Sequence, residues 1–582
     1  MSGIYGVLQI GARSLLAQQK GLEITGHNIA NVNTPGYSRQ KANLQTGMPM
    51  VTPQGIMGTG VNARESERVY DRFVGTQIQN ENEELGRWDA QKTALERVEI
   101  IINESSDDGL SKTMGEFWNA WQDLVNNPSG NVERMALLGN SETLAFEFQN
   151  TYNNLSPLQH DLDLSITATV DEINLKAAEI ADLNQRIIEA EGGGAQANDF
   201  RDARDLAVND LSLMIDVDTY EDGNGSINVS LKSGGSLVNG SSSPDLSTMV
   251  GDTGHKDVVW ASDPAVSINS TISGGKLKGW LEARDVIIPE YKGKMEDLVN
   301  GIKGVESTEV VTGAASTLSG GEYFTLSSPT TDYYVWYDIG DGSTGPTVVG
   351  STGIEVDILS TDTAAQVATK TAEAIDGETG FDASVTGGAI LTITNAVAGV
   401  ATDSADSAVS GKETGFAITK RIDGRDDGLN SLHRSGFDRN GTAGGDFFSG
   451  TLAGNNFAVD SNISADKIAA SGTAAGSPGD NSNAIAIAEL QNALMMNSDT
   501  STFDNFYNSM VSDVGNKVNQ AGMSYDHHTA MVIHLENYRE SISGVSLDEE
   551  MVNLIQFQLG YDAAAKLIST TDEMLNTLMN MV

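Results

Sequence analysis

The stretch "NIANVNTPGYSRQ", residues 28–40, interrupts a regular helical pattern near the start of the chain. Upstream of it, Leu8, Leu15, Leu22 and Ile29 recur at every seventh position, which is the spacing of a helical packing stripe. The seam positions between these residues are mostly small or polar. The pattern therefore predicts a first helix that can approach a partner helix closely.

The end of this predicted helix carries strong turn signals. Pro35 and Gly36 suit positions i+1 and i+2 of a type II turn, because proline presets one torsion and glycine accepts a positive φ. Thr34 precedes the proline and is disfavoured in a helix, whereas Asn31 and Asn33 can cap a helix end. We therefore expect the first helix to end just before this turn.

The C-terminal end of the chain repeats the helical stripe more strongly. A helix whose apolar stripe reaches the chain end cannot bury that face alone in water, so it requires a partner. The partner is either the N-terminal helix of the same chain or the equivalent helices of neighbouring copies, and the pattern leaves both open. The residues of this stripe include Leu547, Met551, Leu554, Tyr561, Ala565, Ile568, Leu575 and Met579.

Between the two ends the periodicity changes. A glycine-rich segment at 192–195 ends a series of helical patterns. Alternating apolar and polar residues at 215–246 then predict a small β unit. The helical patterns before it cover about 73–103, 111–126, 131–155 and 166–187.

Residues 303–427 form a segment of different composition, rich in Thr, Ser, Gly, Ala and Asp. Several strand patterns and one helical pattern, "TAAQVATKTAEAI" at 363–375, predict an independent α+β module. Its flanks continue one amphipathic pattern, so the module is predicted to be inserted at a helix end, where exposed backbone tolerates insertions.

These patterns predict an α+β multidomain protein with a long helical coiled-coil stalk, β-rich middle domains and an inserted α+β module. The stalk pairs the N-terminal and C-terminal segments, and the middle domain contains helices and the small β unit. The predicted division is 1–165 for the N-terminal stalk segment, 166–302 for the middle domain, 303–427 for the inserted module, 428–482 for the return of the middle domain and 483–582 for the C-terminal stalk segment.

Composition narrows the classes of partner. The chain has 35 Lys and Arg against 80 Asp and Glu, a net charge of −45, which disfavours nucleic acid. Residues 1–70 differ, with six basic and three acidic side chains. There is no cysteine, which excludes disulfides and Cys-ligated metals. No cleavable signal pattern and no long apolar run is found, so we expect no membrane insertion.

No catalytic, cofactor or metal motif stands out, and we expect a protein that is not an enzyme. His527 and His534 share a predicted helix face, but the further ligands of a zinc site are missing. The segment 438–448 has only a distant similarity to a calcium loop, and a structural turn is favoured. Trp118 and Trp121 are interpreted as core anchors.

A second hypothesis concerns the inserted module, which could bind glycans or act as an adhesin on the outer surface. Its candidate contacts are Tyr333, Tyr334, Trp336 and Tyr337. Strand alternation would bury two of the four and expose two. An ordinary half-buried strand is the favoured interpretation.

The two chain ends resemble one known family. The opening stretch, preceded by "SLLAQQKGLEITGH" at 14–27, resembles the N-terminal signature of the bacterial flagellar axial proteins, the rod, hook and hook-associated family. The C-terminal "GVSLDEEMVNLIQFQLGYDAAAKLISTTDEMLNTLMNMV" at 544–582 resembles the closing helix of that family. Segments 198–231 and 429–448 are similar to the hook-associated members found at the hook–filament junction.

The resemblance implies a structural adaptor that joins hook to filament, with terminal helices of many copies forming a tubular core. It implies export through the flagellar type III apparatus without a cleavable signal, and an extracellular place in the flagellum. The implied partners are copies of the chain in a ring or tube, the hook protein, a second hook-associated junction protein and an export chaperone. A hook or distal rod protein remains the alternative.

Within the resemblance, the opening stretch is the predicted assembly motif. It would end the first helix and present Tyr37 to a neighbouring copy. The motif residues are Asn28, Asn31, Asn33, Thr34, Pro35, Gly36 and Tyr37.

Overall fold

The computed structural model describes residues 2–52, 55–102, 109–193, 196–251, 253–340, 344–386 and 388–580. Helices supply the two chain ends, and a π-helical turn at Ala283–Ile287 joins α6 to α7. The α-helices are α1 (Ser2–Ala30), α2 (Arg72–Ile102), α3 (Leu110–Asn126), α4 (Asn131–Glu191), α5 (Asn198–Met214), α6 (Gly275–Glu282), α7 (Ile288–Lys303), α8 (Ala364–Asp376), α9 (Leu429–Ser435), α10 (Ser482–Glu489), α11 (Phe503–Ser543) and α12 (Leu547–Asn580).

The strands form several small sheets rather than one large one, ordered β1-β4, β2-β3, β5-β6-β7, β10-β9-β8, β15-β16-β11-β18, β14-β13-β12-β17 and β19-β20. All pairings are antiparallel among these strands except β13 with β14. The strands are β1 (Gln40–Thr46), β2 (Met50–Thr52), β3 (Gly55–Met57), β4 (Val61–Arg68), β5 (Asp218–Glu221), β6 (Ile227–Ser230), β7 (Ser236–Val238), β8 (Leu246–Val250), β9 (Lys256–Trp260), β10 (Asp263–Ser267), β11 (Ser307–Val311), β12 (Tyr323–Ser327), β13 (Asp332–Asp338), β14 (Thr352–Asp357), β15 (Phe381–Thr386), β16 (Ile390–Asn395), β17 (Ala405–Asp406), β18 (Ala417–Ile422), β19 (Phe448–Ser449) and β20 (Ala458–Val459).

The first helix packs antiparallel along the last one, and glycines set their distance. A methyl group at Gly11 would lie 2.7 Å from the Ile568 side chain, and one at Gly21 would lie 2.6 Å from the Phe557 ring. Such short distances exclude any larger residue without a shift of the helices. The predicted close approach of α1 to a partner helix is therefore confirmed, and α12 of the same chain supplies that partner.

A second antiparallel pair, α2 with α11, extends the stalk. The Tyr507 hydroxyl donates a hydrogen bond to the carbonyl of Ile102 at 3.1 Å. Further along the pair, His528 Nδ1 lies 2.8 Å from a carboxylate oxygen of Glu81. Leu535 completes a small apolar cluster on the same face. The fold class predicted from the sequence, a helical stalk with β-rich parts, is confirmed.

The middle of the chain is organised by α4, which runs unbroken through the predicted boundary at residue 165/166. Its packing partners change there, because Leu162 belongs to one apolar core and Ile166 to the next. The second core joins the later part of α4 to α5, α6 and the strands β6 to β9.

The return segment, predicted as part of the middle domain, packs into the first core. Phe447 lies 5.5 Å from the Trp121 ring and 6.3 Å from the Phe117 ring, measured between ring centroids. Phe448 and Phe457 add to the same cluster. The aromatic side chains of 428–482 fill the space between α3, α4 and α7, and α7 belongs to the 166–302 domain that this segment is predicted to continue.

The inserted module has an apolar core of its own, built from residues between Val310 and Phe416. Its two four-stranded sheets and α8 confirm the predicted strands and helix. The chain enters and leaves through a narrow neck, where a methyl group at Gly304 would lie 2.6 Å from the Cα of Gly428. Gly304 has a φ of +78° and ends α7 in the left-handed conformation.

A buried histidine ties the return segment together. His433 Nδ1 donates to the carbonyl of Gly445 at 2.6 Å, and the Ala469 N–H donates to Nε2 at 2.9 Å. A carbonyl can only accept and an amide N–H can only donate, so the ring must be neutral. Burial lowers the pKa of His433 to about 4.

We expect His433 to make the first core sensitive to acid. The unfolded ring binds a proton near pH 6.5 and the folded ring only near pH 4. Its contribution to stability is therefore complete above pH 6.5 and is lost as the pH falls toward 4. The free energy of unfolding can be measured in urea by tryptophan fluorescence. On acidification it should fall by about 2–3 kcal/mol less in His433→Gln than in the parent.

The matched control is His160→Gln, because His160 is exposed on α4. This variant should follow the parent at every pH. An equal fall in the free energy of unfolding for His433→Gln and the parent would contradict the role of His433 as the acid-sensitive group.

Candidate functional site at the joined chain ends

The opening motif folds around the side chain of Asn28, which is 1% exposed. Its Nδ2 donates to the carbonyl of Gln40 at 2.9 Å and to Glu550 Oε2 at 3.1 Å. Its Oδ1 accepts from the Tyr37 hydroxyl at 2.8 Å and from the Gln40 N–H at 3.0 Å. All the hydrogen-bonding capacity of this buried amide is used, which joins the end of α1 to β1 and to α12.

The turn after α1 has the predicted geometry. The Tyr37 N–H donates to the carbonyl of Thr34 at 3.2 Å, and Gly36 has a φ of +77°. Asn31 Nδ2 donates to the carbonyl of His27 at 3.0 Å and so caps the helix end. The predicted turn is confirmed, and Asn33 and Pro35 lie exposed on its outer side.

The Tyr37 hydroxyl is engaged within its own chain, and the presentation of Tyr37 to a neighbouring copy stays a prediction. The hydroxyl bonds to Asn28, and the ring lies 5.7 Å from the ring of His27 between centroids. Burial raises the pKa of Tyr37, and the nearby carboxylates of Asp199 and Asp202 raise it further. The hydroxyl therefore keeps its proton and acts as a donor within the chain.

Glu550 is the network residue that the sequence did not identify. It lies in the first turn of α12, is 3% exposed, and accepts from Asn28. A carboxylate in a first helical turn is favoured by the helix dipole. The sequence "SLDEE" at 546–550 contains this acidic first turn, but it does not show which carboxylate points inward.

A row of acidic residues on α5 holds the motif from the other side. The Ser38 N–H donates to Asp202 Oδ2 at 2.9 Å. Arg68 on β4 bridges Asp202 and Asp205, each at 2.8 Å. Burial raises the pKa of Asp202, and the Arg68 guanidinium opposes this shift. The stalk is therefore fastened to the second core through α5.

The predicted stripe residues do not all lie in the contact between α1 and α12. The α1 contact runs instead along Gly11, Ala17, Gly21, Ile24 and Asn28, which are buried. Half-buried are Leu8, Leu15, Leu22, Ile29, Leu554, Ala565, Ile568 and Leu575, of which Ile568 packs against Gly11. Exposed are Leu547, Met551, Tyr561 and Met579.

Several large apolar side chains of α12 are exposed along its length. Ile555 is 55% exposed and Leu559 is 64% exposed. The stalk thus shows on α12 an apolar surface of the kind that marks an interaction site. This surface, called the outer face of α12, consists of Leu547, Met551, Val552, Ile555, Leu559, Leu567, Met574 and Met579.

The other candidates for chemistry have structural surroundings. His527 and His534 are exposed. Asp438 accepts backbone N–H bonds from Asn440 and Thr442, each at 2.8 Å, as a turn does. Trp118 stacks on Phe503 with 5.9 Å between ring centroids and is a core residue, as Trp121 also is.

Among the described residues, one cluster of three carboxylates has its oxygens close enough to one another to hold a cation. It consists of Asp338, Glu355 and Asp357, on the module surface. None of the described helices is long and apolar enough to cross a membrane.

The aromatic row of the module is largely covered by the module itself. Tyr337 is fully buried and Trp336 is 8% exposed. The backbone near Gly345 lies against the Trp336 ring, and the Tyr334 hydroxyl donates to the carbonyl of Pro346 at 2.6 Å. These rings do not form an open platform on which a sugar could stack.

We expect Asn28→Ala to loosen the pair of α1 and α12. The change leaves the buried Glu550 carboxylate and the Gln40 backbone without this partner, which costs about 2–3 kcal/mol. Amide hydrogen exchange in the second half of α1 and the first turns of α12 should accelerate at least about tenfold. Asn33→Ala is the control, since Asn33 is exposed, and identical exchange in both variants would refute the role of Asn28.

Three family models match parts of the chain. The model described as "Flagellar hook-associated protein FlgK helical domain" matches residues 95–305 and ends at the neck of the module. "Flagella basal body rod protein" matches residues 8–37. "Flagellar basal body rod FlgEFG protein C-terminal" matches residues 539–581. The two rod models cover the paired helices and the opening motif.

Whole-chain relatives carry one name. "Flagellar hook-associated protein 1" of Bacillus subtilis (strain 168) is 25% identical to this chain. The alignment covers 100% of this chain and 99% of the relative's length. The proteins of the same name in Salmonella typhimurium and Escherichia coli (strain K12) are each 26% identical to this chain. Their alignments cover 97% of this chain and 98% of each relative's length.

A solved structure, "The structure of the flagellar hook junction protein FlgK from Burkholderia pseudomallei", has 16% identity and a TM-score of 0.48 and covers 80% of this chain and 100% of its own. Over its full length the chain is similar to proteins named flagellar hook-associated protein 1, and its residues 95–305 match the model of the FlgK helical domain.

Proposed function

We propose that this protein is a structural subunit of the bacterial flagellum that assembles with copies of itself at the hook–filament junction and joins hook to filament. The outer face of α12 is the observation that carries the proposal. Burying one large apolar side chain contributes about 1.5–3 kcal/mol. A copy standing alone leaves this face in water, whereas packed neighbours bury it.

The charge distribution supports contacts between copies. Residues 1–70 hold more basic than acidic side chains, while the whole chain carries a net charge of −45. The first turn of α12 holds Asp548, Glu549 and Glu550. Arg39 of this basic segment pairs with Glu549 of that turn within the chain, and the other basic side chains of the segment favour contacts with the acidic surface of a neighbouring copy.

The full proposal includes a route and a set of partners. The protein leaves the cell through the flagellar type III apparatus without a cleavable signal, accompanied before export by a chaperone. It then contacts the hook protein on one side and a second hook-associated protein on the other, outside the cell. The role is non-enzymatic, and the module at 303–427 is a separate unit attached at α7.

The opening motif has an indirect role in this assembly. Its polar side chains bond to their own chain, with Asn28 and Tyr37 at the centre. We therefore infer that the motif sets the geometry of the stalk before neighbours bind. Asn33, Thr34 and Pro35 remain on its exposed side for contacts between copies.

We expect two acidic substitutions on the outer face of α12 to prevent assembly. The double change Ile555→Asp and Leu559→Asp places carboxylates in an interface that must become dry, at a cost of several kcal/mol. Cells carrying it should show at least about tenfold fewer attached filaments by electron microscopy. The purified protein should keep its circular dichroism spectrum, since both side chains are exposed in the free chain.

A double control, Gln556→Asp with Gln558→Asp, adds the same charge to exposed polar positions of the same helix. It should retain filaments. If the apolar double variant also attaches filaments normally, the outer face of α12 is not buried in the assembly.

Deletion of the gene tests the place in the flagellum directly. We expect hooks without filaments by electron microscopy and flagellin released into the culture medium, because the filament then has no junction protein through which to attach to the hook. Missing hooks would move the protein to the rod or hook, and normal filaments would refute the junction role.

A further inference from the structure

A polar cleft lies at the elbow between α11 and α12. The turn of the opening motif forms one wall, with Asn33 and Thr34, and the last turn of α11 forms the other, with Arg539 and Ser543. Its volume is about 230 Å³. Backbone contacts hold the two walls together, because the Arg39 N–H donates to the carbonyl of Ser543 at 2.7 Å.

The cleft contains polar groups that the chain leaves unused. Ser543 is 3% exposed, and its hydroxyl has no hydrogen-bond partner in the part of the chain that the structure describes. Arg539 forms no ion pair and Asn33 no side-chain hydrogen bond with any described residue. A buried hydroxyl without a partner costs about 1–3 kcal/mol.

The charges around the cleft indicate the chemistry of that ligand. Among the described residues Arg539 has no ion-pair partner, in a chain with 80 acidic and 35 basic residues. Glu540 also lines the cleft, with its side chain against Gly544 at the rim. A guanidinium beside an amide is suited to a carboxylate, which accepts hydrogen bonds from both.

The size and position of the cleft indicate where the carboxylate comes from. Sites for free small molecules usually have about 300–1,000 Å³, so this cleft suits a side chain of a protein partner. The outer face of α12 begins at Leu547, two residues beyond Val545 in the cleft wall. A copy that covers that face therefore also reaches the cleft.

We propose that an acidic side chain of a neighbouring copy occupies this cleft. Its carboxylate pairs with Arg539 and accepts a hydrogen bond from the Asn33 amide. This inference rests on the proposed assembly of copies and adds to it a polar contact that fixes the register between neighbours. Apolar faces alone leave that register weakly defined.

Photocrosslinking in assembled flagella tests the inference. The photoreactive residue benzoylphenylalanine replaces Glu540 at the rim of the cleft in the full chain, expressed as the only copy of the gene. Irradiation should give a product of two copies, with an Asp or Glu in the crosslinked partner peptide. Adding Arg539→Glu should reduce this product at least about tenfold, whereas Arg539→Lys should retain most of it.

Arg186→Glu is the matched control, because Arg186 is an exposed arginine of α4 paired only with Asp182 on the same helix. It should leave the crosslink unchanged. A product with a different protein, a partner peptide without an acidic residue, or an undiminished product with Arg539→Glu would overturn the inference.

Only cells with filaments attached to hooks are scored, which separates this inference from the proposed function. Absence of the two-copy product in such cells refutes the cleft contact and leaves the junction role standing. If Arg539→Glu prevents folding, as read by circular dichroism, the crosslinked peptide in the parent and in Arg539→Lys still decides the result.

Discussion

A carboxamide buried in a protein must find partners for both its donors and its acceptor, and the Asn28 side chain finds them in separate parts of the chain. Tyr37 and Gln40 follow it closely in sequence, whereas Glu550 lies more than five hundred residues away. Closing this network therefore requires α1 to have ended, the turn to have formed and α12 to have begun at the correct level. The register of α1 against α12 is therefore fixed by the requirement that Asn28 and Glu550 meet.

Glycines then determine how close the two terminal helices come. At Gly11 and Gly21 the side chains of Ile568 and Phe557 occupy space that any larger residue would need. The contact side of α1 is consequently lined by small residues, and much of the apolar surface of α12 faces outward. The same geometry that joins the chain ends leaves α12 with an apolar face for neighbouring copies.

The rest of the molecule is attached to this stalk at defined points. Arg68 fastens it to α5 and hence to the second core, while the long helix α4 runs through both cores. The inserted module is tied to α7 by Arg421, which forms a bidentate pair with Asp297. Because the module has its own core and a neck of two touching glycines, its insertion leaves the packing of α7 and α9 intact.

The sequence by itself determined the local features: where α1 ends, the Thr34–Tyr37 turn, the bounds of the module and the need of α12 for a partner. Each follows from backbone torsion limits or from the period of the apolar residues, which act over a few residues. Only the tertiary structure decided that Tyr37 bonds inward, that Glu550 is the buried carboxylate, and that the return segment joins the first core. Those outcomes depend on which distant groups meet in space, and residue spacing along one chain does not contain that information.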